Sequence, residues 1–312
     1  MPDSRKMTSS SRRGLLRCMA WAGCGVRWTV IGGVPTARML DGDAAMATKP
    51  AGLSFMQISD SHIGFASQPN MDASQTLAEA MALVRAQKAD AAFMIHTGDV
   101  SQLSKPEQFD KAAALVEAAG LETHYVPGEH DVLVDDGKAF FARFTPAGSR
   151  GWYAFDQAGV HFIALNNVQD LKPGGLGNLG AAQLAWLKDD LSRRADSQPI
   201  VVCAHVPLWT VSQEWGWGTD DGLQALALLR RFGSVTVLNG HIHQVMQKVE
   251  GNVAFHTARS TAFPQPAPGT AAYPGPIKDL PPGRLRSTLG ITRIQAVRTS
   301  SPLAIIDTPL GA

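Results

Sequence analysis

Three apolar runs, at residues 53–59, 91–96 and 121–126, have the length of buried strands. Helical patterns separate them. Residues 73–87 place Leu77, Met81 and Val84 on one face behind Asp72, a good N-cap. Residues 106–119 begin with Pro106 and are stopped by Gly120, the favoured residues for a helix start and end. Strand–helix–strand–helix–strand predicts an α/β fold whose sheet has parallel pairings. Each run also closes on a polar cluster: Asp60-Ser61-His62, then Thr97-Gly98-Asp99, then Pro127-Gly128-Glu129-His130-Asp131. Ligands of open α/β sheets bind at the carboxyl ends of strands. Three successive clusters there point to one site.

The rest of the chain continues the theme. Residues 152–156 and 160–166 read as a hairpin turning at Gln157-Ala158-Gly159. The Gly-rich residues 171–180 read as a loop near the site or a mobile flap. Residues 181–194 read as a helix with Leu184, Leu187 and Leu191 facing the core. A strand over 200–204 ends in His205-Val206-Pro207, and a helix over 222–232 leads into the apolar run 234–238. That run ends in Gly240-His241-Ile242-His243, where Gly permits a sharp turn. The i, i+2 spacing of the two His can aim both rings into one cleft. A second hairpin follows at 245–249 and 253–256, and two last strands at 291–297 and 303–306. Residues 263–282 are dense in Pro and Gly, which fits either an ordered wrap or a loose linker. No internal repeat and no second domain boundary is evident.

The formal charge of +1 is unevenly spread. Seven Lys and Arg but three Asp and Glu lie within the first 47 residues, leaving 21 basic against 24 acidic groups in the remainder. A slightly acidic body carries no electrostatic footprint for nucleic acid. Ser11-Arg12-Arg13-Gly14-Leu15-Leu16-Arg17 resembles the twin-arginine export signature. The weakly apolar stretch 18–33 is interrupted by Arg27 and is too short to span a bilayer. Ala45-Met46-Ala47 then offers a small-x-small cleavage site. The expectation is a signal peptide over 1–47 and a mature domain over 48–312 with no transmembrane anchor. Its partner would be the twin-arginine translocation machinery and its location periplasmic or extracellular. Trp21-Ala22-Gly23-Cys24 is a poor lipoprotein box. Cys18 and Cys24 would leave with the signal. Cys203 lies in a buried-strand pattern and is expected to be a small core residue without a disulfide partner.

The polar strand ends together hold Asp60, His62, Asp99, Glu129, His130, His205, His241 and His243. Carboxylate with imidazole suits borderline divalent metals such as Mn, Fe and Zn. So many groups exceed one tetrahedral site and match two metals sharing a carboxylate. Two metals about 3.5–4 Å apart can clamp a phosphate and activate a water for in-line attack.

This series of blocks, Asp60-x-His62, Gly98-Asp99, Gly128-Glu129-His130-Asp131, His205 and Gly240-His241-x-His243, resembles the calcineurin-like metallophosphoesterase superfamily. The blocks follow the family order and are closest to the branch holding class III cyclic-nucleotide phosphodiesterases. The resemblance implies a two-sheet β-sandwich flanked by helices and two divalent metal ions (Mn, Fe or Zn). It also implies hydrolysis of a phosphodiester or phosphomonoester, a small-molecule substrate, by metal-activated water. Asp60, His62 and His243 would hold one metal, Glu129, His205 and His241 the other, and Asp99 would bridge them. His130 would protonate the leaving oxygen, and Asp131 would orient His130. Purple acid phosphatases carry a Tyr ligand where this chain has Gln102.

One position departs from the pattern. Glu129 stands where the family carries Asn. A charged, longer ligand implies tighter metal retention and a less electrophilic centre; a Glu that swings away implies a weak second site. On the second alternative the chain would be a non-catalytic metal-binding scaffold or receptor. Other residues carry weaker expectations. His96, His124 and His161 read as structural. His256 with Thr257 could reach the cleft, and Asn166 and Asn167 could bond substrate. Trp215 and Trp217 could stack on a substrate ring or simply pack.

Overall fold

The computed structural model describes residues 26–31, 34–39, 52–296 and 303–311, in two units, 1–51 and 52–312. In the first unit, β1 (Val26–Ile31) and β2 (Val34–Met39) pair antiparallel, with Ile31 opposite Val34. The twin-arginine segment 11–17 and the cleavage site 45–47 lie outside the described residues.

The second unit is built on two sheets. In the five-stranded sheet β3 (Ser54–Ile58), β4 (Met94–His96) and β5 (Thr123–Tyr125) run parallel. Helices α1 (Ala73–Gln87) and α2 (Pro106–Glu117) make the crossovers. The last strands, β12 (Gly290–Ala296) and β13 (Leu303–Pro309), return to this sheet, with β12 antiparallel to β3. In the six-stranded sheet β7 (Val160–Ala164), β8 (Ile200–Cys203), β9 (Val235–Asn239) and β11 (Val253–Thr257) are parallel. β6 (Tyr153–Gln157) and β10 (Gln247–Glu250) close its edges antiparallel.

Side-chain alternation explains the layering. Phe55 of β3 points between the sheets, while Met56 and Ile58 join Leu77, Met81 and Phe109 under the helices. In β8, Val201 and Cys203 face inward, while Ile200 and Val202 meet Leu187 and Leu229 on α4 (Gly180–Ser192) and α5 (Gly222–Leu229). Central strands buried on both faces read as continuous apolar runs, as parallel strands do. The sandwich flanked by helices is therefore the expected one. Cys203 is a buried core thiol, as expected, and burial raises its pKa.

Two regions add to the sequence reading. α3 (Lys138–Phe144) is a short helix that inserts Phe140 and Phe144 beneath the five-stranded sheet. Its first residue follows Gly137, and its seven residues are too few to show a helical period. The Gly-rich 171–180 loop is docked rather than free: Gly177 N–H donates to Gly218 O (2.9 Å) and Asp220 N–H to Gly177 O (2.8 Å). Among the described residues, no helix is long and apolar enough to cross a membrane.

The two sheets meet through aromatic rings. Phe55 and Phe93 stack at 5.1 Å, Phe155 and Phe162 stack at 4.9 Å, and Phe162 meets the first pair edge-on. Phe162 is fully enclosed at 1% exposure. We expect Phe162→Ala to cost about 3–5 kcal/mol, read as a lower urea midpoint with unchanged slope.

Candidate metal centre

Five loops at strand ends are laced to one another by backbone and carboxylate bonds. Asp60 N–H donates to Gly98 O and His62 N–H to Asp99 O, both at 2.9 Å. His130 N–H donates to Asp99 Oδ1 (2.9 Å) and His241 N–H to Asp60 Oδ1 (3.0 Å). The two sheets thus present their ends to one centre. The fit is close enough to forbid side chains at the turns. A Cβ on Gly128 would lie 2.1 Å from Asp99 Oδ1, and one on Gly240 would lie 2.1 Å from Ser59 Oγ.

The backbone there is bent as well. Asp60, His62, Asp99, His241 and His243 all have φ between 43° and 69°. For L residues the left-handed region costs about 1–2 kcal/mol each. Such strain persists where surrounding structure over-determines it, and it clusters at functional sites. Ile242, between the two His, is fully buried against Trp215 and Trp217 and anchors the turn. The rings therefore share a cleft because both residues are left-handed, not because the segment is extended.

Asp60, Asp99 and His205, and His62, Asp99 and His130, form two groups whose ligand atoms lie within 4.8 Å of one another; two more such groups, which share no residue, are Asp60, His62 and His243, and Glu129, His205 and His241. Asp99 sits between them, with Oδ2 3.4 Å from His62 Nε2 and 3.5 Å from His205 Nε2. Glu129 reaches both of its neighbours, with Oε2 2.9 Å from His205 Nε2 and Oε1 2.9 Å from His241 Nδ1. All seven ligand residues expected from the sequence are brought together.

The outer atoms of the rings show which inner atoms are free. His205 Nδ1 lies 2.7 Å from Thr97 O, and His243 Nδ1 lies 2.6 Å from Phe263 O. A carbonyl only accepts, so each Nδ1 carries a hydrogen and each Nε2 is the atom turned toward the cluster. Asp60 Oδ2, Glu129 Oε2, His205 Nε2 and His241 Nδ1 are buried with no partner at hydrogen-bonding angles, even where distances are short. They belong to groups whose ligand atoms lie within 4.8 Å of one another. Orphaned buried donors of this kind, oxygen with imidazole nitrogen, fit divalent cations.

The charges agree. Burial opposes ionisation of Asp60, yet His243, His205 and His62 hold it well below the usual carboxylate range. Glu129 is likewise held far down, against burial, by His241 and His205. Burial pushes His62 down to about 3, so its ring is neutral, the form that binds metal. His205 goes the other way: burial lowers it, but Asp99 and Glu129 raise it well above normal. The second group therefore calls for positive charge at His205 Nε2.

His130 stands at the rim, 4.8 Å ring to ring from His62. Burial lowers its pKa, but Asp99, Glu129 and the Gln102 carbonyl raise it more. The expected role of Asp131 needs correction. His130 Nδ1 lies 2.8 Å from Gln102 O, which orients the ring. The Asp131 carboxylate instead takes N–H bonds from Val100, Ser101 and Gly128 and the Ser101 hydroxyl, at 2.8–3.0 Å. It ties the second and third motif loops together, while burial and the Asp99 charge push its pKa up to about 7.

Other residues fall outside the cluster. His96 bonds Ser61 Oγ (2.7 Å), and His161 lies between Asp156 and Asp190, so both are structural as expected. His124 stacks on Phe155 at 3.9 Å. His256 does not reach the cleft; it is buried with Nε2 3.0 Å from Asp307. Asn167 is buried and donates to Val206 O and Thr219 Oγ1, and Asn166 donates to Arg150 O and Gln169 Oε1, which leaves neither for substrate. Trp215 and Trp217 pack edge-on at 5.0 Å and are buried, yet both border the cleft. That cleft, about 320 Å³, opens over the ligand cluster. Phe65, Phe263 and Gln265 also line it, and the sequence holds no motif signal for them.

The model of the family described as calcineurin-like phosphoesterase matches residues 53–245, more than half of the chain. The chain belongs to that family. Among similar curated proteins is a 3′,5′-cyclic-nucleotide phosphodiesterase of Nostoc sp., 24% identical over 218 residues, which are 68% of this chain and 79% of the relative. Among solved structures, a dimetal phosphatase of Danio rerio aligns with a TM-score of 0.58 at 14% identity, over 82% of this chain and 98% of its own. A purple acid phosphatase of yellow lupin aligns with a TM-score of 0.62 at 15% identity, over 83% and 52%. At such identities the structures speak for the calcineurin-like fold alone.

Two substitutions test this geometry. Asp131→Asn leaves one oxygen and an NH2 group facing four donors. It is expected to cost about 2–3 kcal/mol in urea unfolding at pH 8, where the native carboxylate is ionised. Glu129→Asn is expected to weaken metal retention roughly 10-fold or more in competition with a chelator. Equal retention would mean that the charge and extra length of Glu129 add nothing to metal retention.

Proposed function

We propose that the chain is a binuclear metal-dependent phosphoesterase that favours diesters. The observation that carries this is the pair of three-residue groups joined by Asp99. Asp60, His62 and His243 would hold one divalent ion (Mn, Fe or Zn), Glu129, His205 and His241 the other, with Asp99 between. Two such ions supply Lewis-acid polarisation of the phosphoryl group and a water acidic enough to attack it.

The residues of this chain do the rest. The Thr97 and Phe263 carbonyls fix the tautomers of His205 and His243. Phe65, Phe263, Trp215 and Trp217 wall the cleft and limit water. His130, with Nδ1 turned to Gln102 O, keeps Nε2 as the atom that can give a proton. Its raised pKa favours the protonated form. Hydrolysis adds water to phosphorus and breaks the bond to the leaving alcohol. His130 can give that oxygen its proton and recover one from the water consumed.

The preference for diesters rests on charge. Among the described residues no Lys or Arg lines the cleft, and three carboxylates, Asp60, Asp99 and Glu129, would offset much of the charge of two divalent ions. A dianionic monoester would find little further positive charge there. A monoanionic diester asks for less. The cyclic-nucleotide phosphodiesterase among its relatives supports the same choice. Glu129 bridging His205 and His241 speaks for a working second site and against a non-catalytic scaffold. The twin-arginine-like segment supports export of the folded chain, with metals loaded, to the periplasm or beyond.

The test is metal analysis of the purified chain alongside turnover of bis-p-nitrophenyl phosphate and p-nitrophenyl phosphate with Mn, Fe or Zn. Two metals per chain and faster turnover of the diester are expected. Asp99→Ala should lower metal content and reduce turnover by at least about 100-fold. No turnover with two metals bound would sink the proposal.

A further inference from the structure

The Pro- and Gly-rich stretch after β11 is an ordered strap. Its start is fastened to the ligand turn. The Phe263 ring lies 4.8 Å from that of His62 and 4.4 Å from that of His243. Gln265 Nε2 donates to His241 O, and Gln265 Oε1 accepts from Gly275 N–H, both at 2.9 Å. Gln244 Nε2 donates to Pro266 O at 3.0 Å, and Ile277 N–H donates to Pro264 O at 3.1 Å. The stretch between Gln265 and Gly275 is thereby closed into a ring held at its base.

Inside that ring is a cavity of about 700 Å³, more than twice the volume of the cleft over the ligand cluster. Gln265, Pro274, Gly275 and Pro276 line both spaces, so the two share a wall. Three prolines, Pro266, Pro274 and Pro276, limit its backbone freedom. A preformed pocket costs little ordering entropy when filled. Tyr273 lines it and is 74% exposed, with no ring or hydrogen-bond partner among the described residues. A large aromatic face left bare beside a polar site is a place for a ligand ring. Lys278 and Asp279 line the pocket with one charge of each sign, which selects against a net charge in the occupant.

We propose that this strap pocket binds the group of the diester that stays on the phosphate, and that it selects an uncharged planar ring stacked on Tyr273. This rests on the phosphoesterase reading above. With phosphate at the ligand cluster and the leaving oxygen toward His130, a second ester group needs its own space, and the strap pocket adjoins the cleft along Gln265, Pro274, Gly275 and Pro276. A monoester has no such group.

Two diesters with the same leaving group isolate the pocket. Bis-p-nitrophenyl phosphate and methyl p-nitrophenyl phosphate both release p-nitrophenolate, and they differ only in what remains. The ratio of their kcat/KM values, aryl over methyl, should fall about 3- to 10-fold in Tyr273→Ala, through KM. Tyr273→Phe should restore it. A ratio is insensitive to the fraction folded or metal-loaded. An unaltered ratio overturns the proposal. In parallel, calorimetric titration of the metal-loaded protein with diphenyl and dimethyl phosphate needs no turnover. Tighter binding of diphenyl phosphate that is lost in Tyr273→Ala supports the pocket even if both esters resist hydrolysis, in which case only the catalytic reading fails. Equal binding of the two overturns the pocket.

Discussion

Three carboxylates, two buried and the third partly so, crowded beside four inward-facing imidazoles set the terms for the rest of this molecule. Asp60, Asp99 and Glu129 cannot crowd together in a largely buried space as bare anions. Each is stabilised by ring nitrogens a few ångströms away, and each ring is steered by an acceptor behind it where one exists, as with Thr97 O and Phe263 O. The second layer is therefore as specific as the first. Asp131 extends this logic to the backbone, because its carboxylate gathers the N–H groups of two motif loops that would otherwise be buried without partners.

The fold supplies that cluster by direction, not by proximity in the chain. Parallel strands of both sheets end on the same side, and their loops are short enough to lace together. Left-handed backbone at five ligand positions is the cost of turning side chains inward immediately after a strand. The aromatic rings between the sheets and the apolar layers beneath the helices offset it, since they contribute far more than the roughly 1–2 kcal/mol at each strained residue.

Most of this was legible in the residues. Strand ends carrying Asp, His and Glu gave the ligand set, and the alternation of apolar runs with amphipathic stretches gave the two helix-flanked sheets. What could not be read is what depends on the third dimension. The left-handed φ at His241 and His243 has no signature beyond the tolerance of short polar residues for that region. Asp131 looked like a partner for the ring of His130 because it is next in sequence. In space the carbonyl of Gln102, 28 residues earlier, takes that place. His256 ends a strand as the candidate ligands' neighbours do, but its sheet position turns it to Asp307. The strap after residue 263 gave only composition, and composition does not distinguish a fastened ring from a slack linker.

Each ligand group draws on both halves of the sandwich. Asp60 and His62 follow a strand of the five-stranded sheet, while His243, 181 residues after His62, follows one of the six-stranded sheet. Glu129 likewise meets His205 and His241 from the opposite sheet. A cation seated in either group is thus a staple between sheets as well as a reagent. Because the unfolded chain cannot present such a site, occupancy would stabilise the native state by mass action, about 2.7 kcal/mol at a hundredfold excess over Kd. Loss of metal would then loosen the join between the sheets, and starvation for the ion would be felt as fragility before it was felt as slowness.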